Sequence, residues 1–274
     1  MKLILFLLFT TAIYASNATL SALGQPSEGS FYLMDNLNSF TNPGGIKYNK
    51  EQLSVQSNSF GMYKSDSFQI GLGREFLDAS LIDVGFMAFD NYGFNFFANP
   101  LEGEGASVYG GTFGLKEDSF GFKMTLAHSD ALEGMYMKLG MAVPIFYDMI
   151  FHASFKNVLC EEDDDKLSLA LAKIFNYKSV DLFADLTYTV LHGQDKAVLT
   201  AGAYKEISLF SVPTNLIASV NKDLFFTEGM KVNVGSSFAF GDLNLDLSHS
   251  FGAFGMADPK YADFNFQAAL TYYL

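Results

Sequence analysis

The sequence has no tryptophan, a single cysteine and few charged residues, and each shortage narrows the protein classes that it fits. Cys160 can form neither an internal disulfide nor a metal site by itself. Charged residues make up 17% of the chain, below the roughly 25% that is usual in soluble domains. Basic residues are fewer than acidic ones: the chain has 17 Lys and Arg and 30 Asp and Glu, which gives a net charge of −13. This balance argues against nucleic-acid binding, which needs a basic footprint.

Long apolar runs are also absent, except at the start of the chain. Lys2 precedes an apolar run over residues 3–13, and the small residues Ala15 and Ala18 follow it. This pattern predicts a secretory signal peptide at residues 1–15, with the mature chain beginning near residue 16 or 19. The alternative is a membrane-spanning helix, but spanning takes about 20 apolar residues, and the run is shorter.

What the chain does contain is alternation of apolar and polar residues. It is 49% hydrophobic and 16% aromatic, with 29 Phe and 24 Gly, yet the apolar residues fall on every second position. Residues 263–274 alternate without a break and end on an apolar residue. A strand has period two, so one face is apolar and the other mostly polar. The pattern predicts an all-β, transmembrane, antiparallel up-and-down β-barrel. A soluble β-sandwich is the alternative, disfavoured by the signal peptide and by apolar faces rich in Phe, Leu and Met.

The segments divide the chain into a signal peptide (1–15), an N-terminal plug-like segment (16–51) and a barrel (52–274). We expect about 14 strands, and the longer connections at the outer end, with 206–213 as an exception. A further strand at 94–98 would give an odd number, so this segment is assigned to an outer excursion. The 14 predicted strands are 52–60, 67–76, 81–90, 106–115, 119–128, 133–142, 146–155, 166–174, 179–190, 196–205, 214–222, 230–240, 242–252 and 263–274.

Residues 35–46 contain Asn42-Pro43-Gly44-Gly45. This box resembles the Asn-Pro-Ala-Gly-Leu box of the long-chain fatty-acid transporter (FadL)-like superfamily of outer-membrane barrels, with Gly44 in place of the usual Ala. Residues 51–55, 80–93 and 120–123 resemble strands of its PorV-like branch. The resemblance implies a 14-stranded barrel with an N-terminal segment folded into the lumen.

The residues of the box support a plug separately, because Asn42-Pro43 favours a turn and Gly44-Gly45 lets the backbone bend sharply. The alternative is that this stretch merely leads the chain into the first strand.

One lumenal charged cluster is predicted from the positions of the turns. A turn at 143–145 sets Lys138 diagonally near Asp148, and the preceding turn sets Lys123 near Lys138. Such a row would keep these charges out of lipid. It fits an internal salt-bridge ladder better than an anion-attracting patch along a pore.

Catalytic patterns are weak in this sequence. His249 lies between Ser248 and Ser250, but neighbours in a strand point to opposite faces. Asp181 and Asp185 have no evident histidine partner, and the acidic run 161–165 lacks the spacing of a calcium loop. We therefore expect no enzyme, no metal and no cofactor.

The expected function is passive transport of small molecules, hydrophobic ones among them, gated by the N-terminal plug. The alternative is a non-transporting scaffold or secretion-system component, as the PorV-like resemblance implies. The expected location is the cell outer membrane of a Gram-negative-type envelope, after signal-peptide cleavage. The expected partners are outer-membrane lipid and either a hydrophobic small molecule or secretion-machinery proteins.

Overall fold

The structure is a computed structural model that describes most of the predicted barrel and the stretch before it. Its residues are 38–48, 50–57, 60–77, 79–89, 91–99, 107–117, 120–130, 134–159, 166–191, 196–225, 230–253 and 265–274. The predicted signal peptide, the plug-like segment before residue 38 and the acidic run 161–165 lie outside these residues. Within them, no helix has the length and apolar character needed to cross a membrane.

The described strands form one closed antiparallel barrel in which each strand pairs with the one before it, and the last with the first. A short helix, α1 (Asn38–Thr41), and a 3-10 helix (Pro43–Tyr48) precede the first strand, and another 3-10 turn (Phe146–Asp148) joins β8 to β9. The strands are β1 (Gln52–Gln56), β2 (Gly61–Lys64), β3 (Phe68–Phe76), β4 (Ala79–Ala88), β5 (Tyr92–Ala98), β6 (Val108–Glu117), β7 (Phe120–Ser129), β8 (Gly134–Pro144), β9 (Ile150–Leu159), β10 (Lys166–Tyr177), β11 (Val180–Leu191), β12 (Lys196–Leu209), β13 (Val212–Asp223), β14 (Met230–Phe240), β15 (Leu243–Ala253) and β16 (Asn265–Tyr273).

The all-β closed barrel is confirmed, but the predicted count of 14 strands is wrong, because the described chain has 16. The predicted strand 52–60 contains only β1, and the short strand β2, which pairs with β1 and β3, begins directly after it. The segment assigned to an outer excursion is β5, which pairs with β4 and β6. The predicted number stayed even because two strands were missed. Adding either one alone would have made it odd.

Alternation separates the two faces of the wall as predicted. In β11, Asp185 and Thr189 are buried on the inside, whereas Leu186 and Val190 are exposed on the outside. The same holds in β16, where Thr271 is buried while Leu270 is exposed. Outward-facing leucine, valine and phenylalanine thus cover the exterior, and serine, threonine, asparagine and charged side chains line much of the lumen. This distribution is typical of a barrel whose outer surface faces an apolar environment.

The connections differ between the two ends of the barrel. The near end, which holds Gln52 and Leu274, has the connections 65–67, 89–91, 118–119, 145–149, 178–179, 210–211 and 241–242. The far end has 57–60, 77–78, 99–107, 130–133, 160–165, 192–195, 224–229 and 254–264. The expected exception at 206–213 is wrong, because β12 and β13 continue until only residues 210 and 211 connect them. Both have positive φ, as a tight hairpin turn requires.

The wall is lowest at β1 and β2, which have five and four residues. At about 3.3 Å per residue they rise only about 13–17 Å, less than the apolar band of about 25 Å on outer-membrane barrels. Their neighbours β16 and β3 each have nine residues. Among the described strands, the wall therefore has a notch at the far end. We call it the β1–β2 notch; residues 265–267 and 73–76 border it.

Closure between β1 and β16 can be tested by cross-linking. Ser54 lies opposite Thr271, and their hydroxyl oxygens are 3.1 Å apart. In a protein with Cys160→Ser, the pair Ser54→Cys and Thr271→Cys should form a disulfide on mild oxidation, because side chains directly opposite each other are close enough for an S–S bond. Gel mobility without reductant measures it. The pair Ser54→Cys and Thr214→Cys, on distant strands, is the control; equal cross-linking of both pairs would contradict the closed register.

Candidate functional site

The N-terminal segment, defined as residues 39–47, lies inside the barrel against β4, β5 and β6. It fits there because glycines face it from the wall. A Cβ added to Gly93 would strike the carbonyl oxygen of Pro43, and one added to Gly114 would lie 2.8 Å from the backbone nitrogen of Gly44. In turn, a Cβ on Gly44 would lie 2.6 Å from the backbone nitrogen of Lys116. Backbone therefore packs on backbone, an approach that only glycine allows.

All four residues of the predicted plug motif, Asn42, Pro43, Gly44 and Gly45, are buried in this contact. The Gly45 amide donates to the Asn42 carbonyl at 2.9 Å, which closes the turn. Among the described glycines, Gly73 and Gly241 have a positive φ, and Gly44 and Gly45 do not. Gly44 is required by its close approach to the backbone of β6.

The side chain of Asn42, in the middle of the segment, is buried without hydrogen bonds to the described residues. Neither side-chain amide atom of Asn42 has a hydrogen-bond partner among the described residues, and the same is true of Gln69 Oε1 and Asn95 Oδ1 on the facing wall. Hydrogen bonds do hold the segment towards both of its ends: Gln69 Nε2 donates to the Ser39 carbonyl at 3.0 Å, and Lys47 Nζ donates to Asn91 Oδ1. A buried polar atom without a partner costs about 1–3 kcal/mol. The segment is thus packed closely against the wall, but burial of the Asn42 side chain carries an unfavourable free energy.

An ion pair beside the segment links three strands. Arg74 donates to Asp83 through two nitrogens, at 2.9 and 2.7 Å, and Asn95 donates to the same carboxylate at 2.7 Å. Arg74 is 6% exposed and Asp83 is fully buried. The guanidinium also lies over the rings of Phe76 and Phe97, at 5.4 and 5.0 Å. This charge is therefore neutralised within the wall.

Arg74 reaches the lumen because of a bulge that sequence reasoning missed. The β3–β4 register shifts between Leu72 and Arg74, and Gly73 between them has φ 86°. Without the bulge, strict alternation would have placed Arg74 on the lipid-facing side with Leu72. The sequence signal that could have indicated the bulge is Gly73, directly before a charged residue at a position that alternation assigns to the apolar face of a predicted strand.

The predicted charged cluster is only partly assembled. Lys123 and Lys138 share the lumenal face and lie diagonally, since Lys138 pairs with Thr125. The predicted position of Asp148 beside Lys138 is wrong. The turn is longer than expected, at 145–149, and Asp148 lies within it. The β9 residue opposite Lys138 is Lys156, which the predicted strand ended one residue too early to include.

A histidine–carboxylate pair was also missed. His152 Nε2 lies 3.3 Å from Asp185 Oδ2, and Thr187 donates to Asp185 Oδ1 at 2.7 Å. The expectation that Asp185 has no histidine partner is therefore wrong. His152 and Asp185 are on β9 and β11, and the small side chains of Ala170 and Ala172 on β10 allow them to meet across that strand.

A lumenal pocket lies between the N-terminal segment and the wall. Thr41 contributes from α1, and β3, β6, β7 and β8 contribute the rest. Two of the lining hydroxyl groups, on Thr112 and Thr125, are 3.0 Å apart and hydrogen-bonded. The remaining polar groups that line it are Arg74, Lys123 and Lys138.

Neither a protein-family model nor a curated protein matches the sequence. The chain distantly resembles several solved structures, among them Wzi, OmpT and the β domain of BrkA. Wzi, described as a carbohydrate-binding outer-membrane β-barrel involved in group 1 capsule assembly in Escherichia coli, is 7% identical over 79% of this chain and 70% of its own, with a TM-score of 0.46.

The outer-membrane protein OmpT of Vibrio cholerae, with loop L8 deleted, is 11% identical over 82% of this chain and 97% of its own, with a TM-score of 0.40. The β domain of the Bordetella autotransporter BrkA is 12% identical over 81% and 94%, with a TM-score of 0.27. None of these likenesses bears on function.

The close glycine contacts predict that Gly114→Ala lowers the free energy of unfolding by about 1–3 kcal/mol, because the added methyl group overpacks the interface. It should also make the N-terminal segment easier to cleave by protease. Urea unfolding in lipid vesicles and limited proteolysis measure the two effects. Gly61→Ala, whose Cβ would meet only one atom at 3.9 Å, is the control and should be neutral or slightly stabilising. Equal behaviour of both variants would contradict the packing.

The ion pair supports a second prediction. Asp83→Asn should lower the free energy of unfolding by about 3–5 kcal/mol, because it leaves the buried Arg74 charge without its carboxylate. Asp242→Asn, in an exposed turn at the near end, provides the matched control in the same urea titration. A loss no greater than that of the control would show that Arg74 is solvated and not buried.

Proposed function

We propose that the protein is an outer-membrane β-barrel that carries small molecules passively, with the N-terminal segment as a removable plug. The observation that carries this proposal is that residues 39–47 pack inside a closed wall, against Gly93 and Gly114, with buried amide atoms left unpaired. In a permanently packed segment, buried amide atoms are expected to have hydrogen-bond partners. Their cost lowers the free energy needed to displace the segment.

The proposed location follows from the two faces of the barrel. Its outward face carries Leu, Val and Phe on alternate positions, while its inner face is largely polar, as in barrels embedded in an outer membrane. A cleaved signal peptide at residues 1–15 belongs to the same proposal. So does membership of the FadL-like superfamily, which rests on the Asn42–Gly45 box and on the resemblance of residues 51–55, 80–93 and 120–123 to its strands.

Hydrophobic cargo is favoured by what lies around the β1–β2 notch. Phe40 of the N-terminal segment packs edge-on against Phe60, with ring centroids 5.8 Å apart, and Met62 joins them at the foot of the notch. Phe76 on the bordering strand contacts Phe97 and Tyr136, at 5.4 and 5.1 Å. An apolar patch continues from there along the lumen at the far end; its buried members are Ala79, Leu81, Phe97, Val108, Ala127 and Tyr136.

We propose no catalytic role for the polar lumenal groups. His152 and Thr187 both contact the carboxylate of Asp185. The His152 contact ties β9 to β11 across the intervening β10, which is a bracing role in the wall. The second candidate function, a non-transporting scaffold or secretion-system component, is kept because the segment narrows the lumen in the state described.

Swelling of liposomes that contain the purified protein tests transport. The native protein should swell slowly with small neutral solutes, and Gly93→Leu with Gly114→Leu should swell several times faster, because the bulky side chains exclude the N-terminal segment from its seat. Deletion of residues 20–45 should have the same effect by a second route. Gly61→Leu, away from the segment, controls for damage to the wall. If both altered proteins stay closed and partner proteins co-purify, the transport proposal fails and the scaffold function takes its place.

A further inference from the structure

Three neighbouring side chains on the lumenal wall beside the β1–β2 notch carry polar atoms without partners. Both side-chain amide atoms of Gln56, Oε1 of Gln267 and Oγ of Ser248 are buried, and none of these atoms has a hydrogen-bond partner among the described residues. Gln56 is 6% exposed and Ser248 is 2% exposed. We call the three residues the Gln–Ser cluster. Because buried polar groups are nearly always hydrogen-bonded, several adjacent exceptions require an explanation.

The register of the barrel brings the three residues together. Ser248 on β15 lies directly opposite Gln267 on β16. Gln56 on β1 lies opposite Ala269, two positions further along β16, so Gln56 and Gln267 are diagonal neighbours on one face. Such diagonal neighbours are about 7–8 Å apart, which is within reach of long side chains. The unpaired atoms therefore belong to one place on the wall, at its far end.

The same strands satisfy polar groups close to the cluster. The hydroxyl groups of Ser54 and Thr271 hydrogen-bond to each other at 3.1 Å. On β15, Asn244 donates to Asp246 at 2.9 Å, and Ser250 donates to Asn233 on the neighbouring strand at 2.8 Å. Side chains of this wall thus bond along and across its strands. The Gln–Ser cluster is an exception within a wall that otherwise provides such partners.

An apolar surface lies beside the cluster. The Gln56 amide nitrogen donates to the Phe60 carbonyl at 2.8 Å, so these two residues face each other where β1 ends. Phe60 is fully buried and packs with Met62 and with Phe40 of the N-terminal segment. Displacement of the segment removes Phe40 and leaves Phe60 and Met62 uncovered. The lumen would then present unpaired polar groups directly next to an apolar surface.

The charge near the cluster disfavours an anionic ligand. Among the described residues of β1, β15 and β16, the charged side chain that faces the lumen is Asp246, two positions from Ser248. The ammonium group of Lys64 on β2 donates instead to the Ser65 carbonyl, at the near end. A carboxylate in the cluster would face two amide oxygens and lie close to an aspartate, and all of these groups repel it.

We propose that the Gln–Ser cluster binds the uncharged, hydroxyl-bearing head group of an amphiphilic molecule, whose apolar chain lies against Phe60 and Met62. A hydroxyl group both donates and accepts, so it matches the amide oxygens as well as the amide nitrogen and the serine hydroxyl. The inference rests on the proposed function, because Phe40 covers the place of the chain until the N-terminal segment moves. To that function it adds a class of cargo, neutral monoacylglycerol-like lipids, as opposed to fatty acids.

Binding of tritiated monolauroylglycerol to the purified full-length protein in detergent tests this site. Tritiated laurate at pH 8 is the matched ligand, with the same chain and a carboxylate head group, and a scintillation proximity assay measures both Kd values. Both ligands are tested on the native protein and on Gly93→Leu with Gly114→Leu, which we call the plug-displaced protein. There, the Kd of monolauroylglycerol should be about tenfold lower than that of laurate, since only its hydroxyls pair with the cluster. The native protein should bind it more weakly.

The head-group contacts are tested by Gln56→Leu with Gln267→Leu in the plug-displaced protein. The Kd for monolauroylglycerol should rise about tenfold, because its hydrogen bonds are lost, and the Kd for laurate should not rise. Removal of unpaired buried polar atoms does not destabilise the fold, and Ser248→Ala, expected to raise the same Kd several-fold, is a smaller second change. Asn176→Leu is the matched control, because this amide lies at the near end of β10, bonded to Asp181. It should leave both Kd values unchanged.

Failure of the plug-displaced protein to bind monolauroylglycerol, equal Kd values for the two ligands, or an equal effect of Asn176→Leu would overturn the proposal. The transport function fails separately, in the liposome swelling assay. Selective binding of monolauroylglycerol without swelling would keep this site and reject transport. Swelling with equal Kd values for both ligands would keep transport and reject the site.

Discussion

The pairing of β1 with β16 is the interaction on which the rest of the molecule depends. An open sheet of this size would end in two edges whose N–H and C=O groups need partners, and lipid offers none. Pairing from Gln52 with Tyr273 to Gln56 with Ala269 removes both edges, and the Leu274 amide extends it by donating to the Glu51 carbonyl. Closure also means that the inner faces of all strands surround one lumen, so every second side chain of a strand points into it.

An enclosed interior must be filled, and this barrel fills it in two ways. Much of the wall satisfies its own polar groups: Asn233, for example, donates to Ser219 and Asn221 and accepts from Ser250. Where the wall is made of glycine instead, the backbone of the N-terminal segment takes the place of side chains. The same stretch of wall that has the least side-chain volume inside is therefore the one that holds the segment.

Charged side chains in the lumen also occur in two different surroundings. Arg74 and Asp83 neutralise each other within a network of three strands, whereas Lys123 and Lys138 line the lumenal pocket. The apolar patch lies towards the far end, next to the β1–β2 notch, and the lumenal pocket lies beside Thr41. The N-terminal segment touches both surroundings, through Phe40 at the notch and Thr41 at the pocket. Its displacement would change access to each of them.

Alternation in the sequence was sufficient to predict the all-β fold, the apolar exterior and the lumenal face for Lys123 and Lys138. Those are local properties, because an extended chain turns its side chains to opposite sides whatever its neighbours are. The strand count was out of reach, since a strand of four residues such as β2 carries almost no periodic signal. The register of β8 with β9 was decided by a turn at 145–149, which moved Lys156 opposite Lys138 and left Asp148 in the connection. The bulge at Gly73 reversed the face of Arg74, and His152 met Asp185 across an intervening strand. Register, bulges and contacts over a strand arise only when separate segments come together, so the tertiary structure alone decided them.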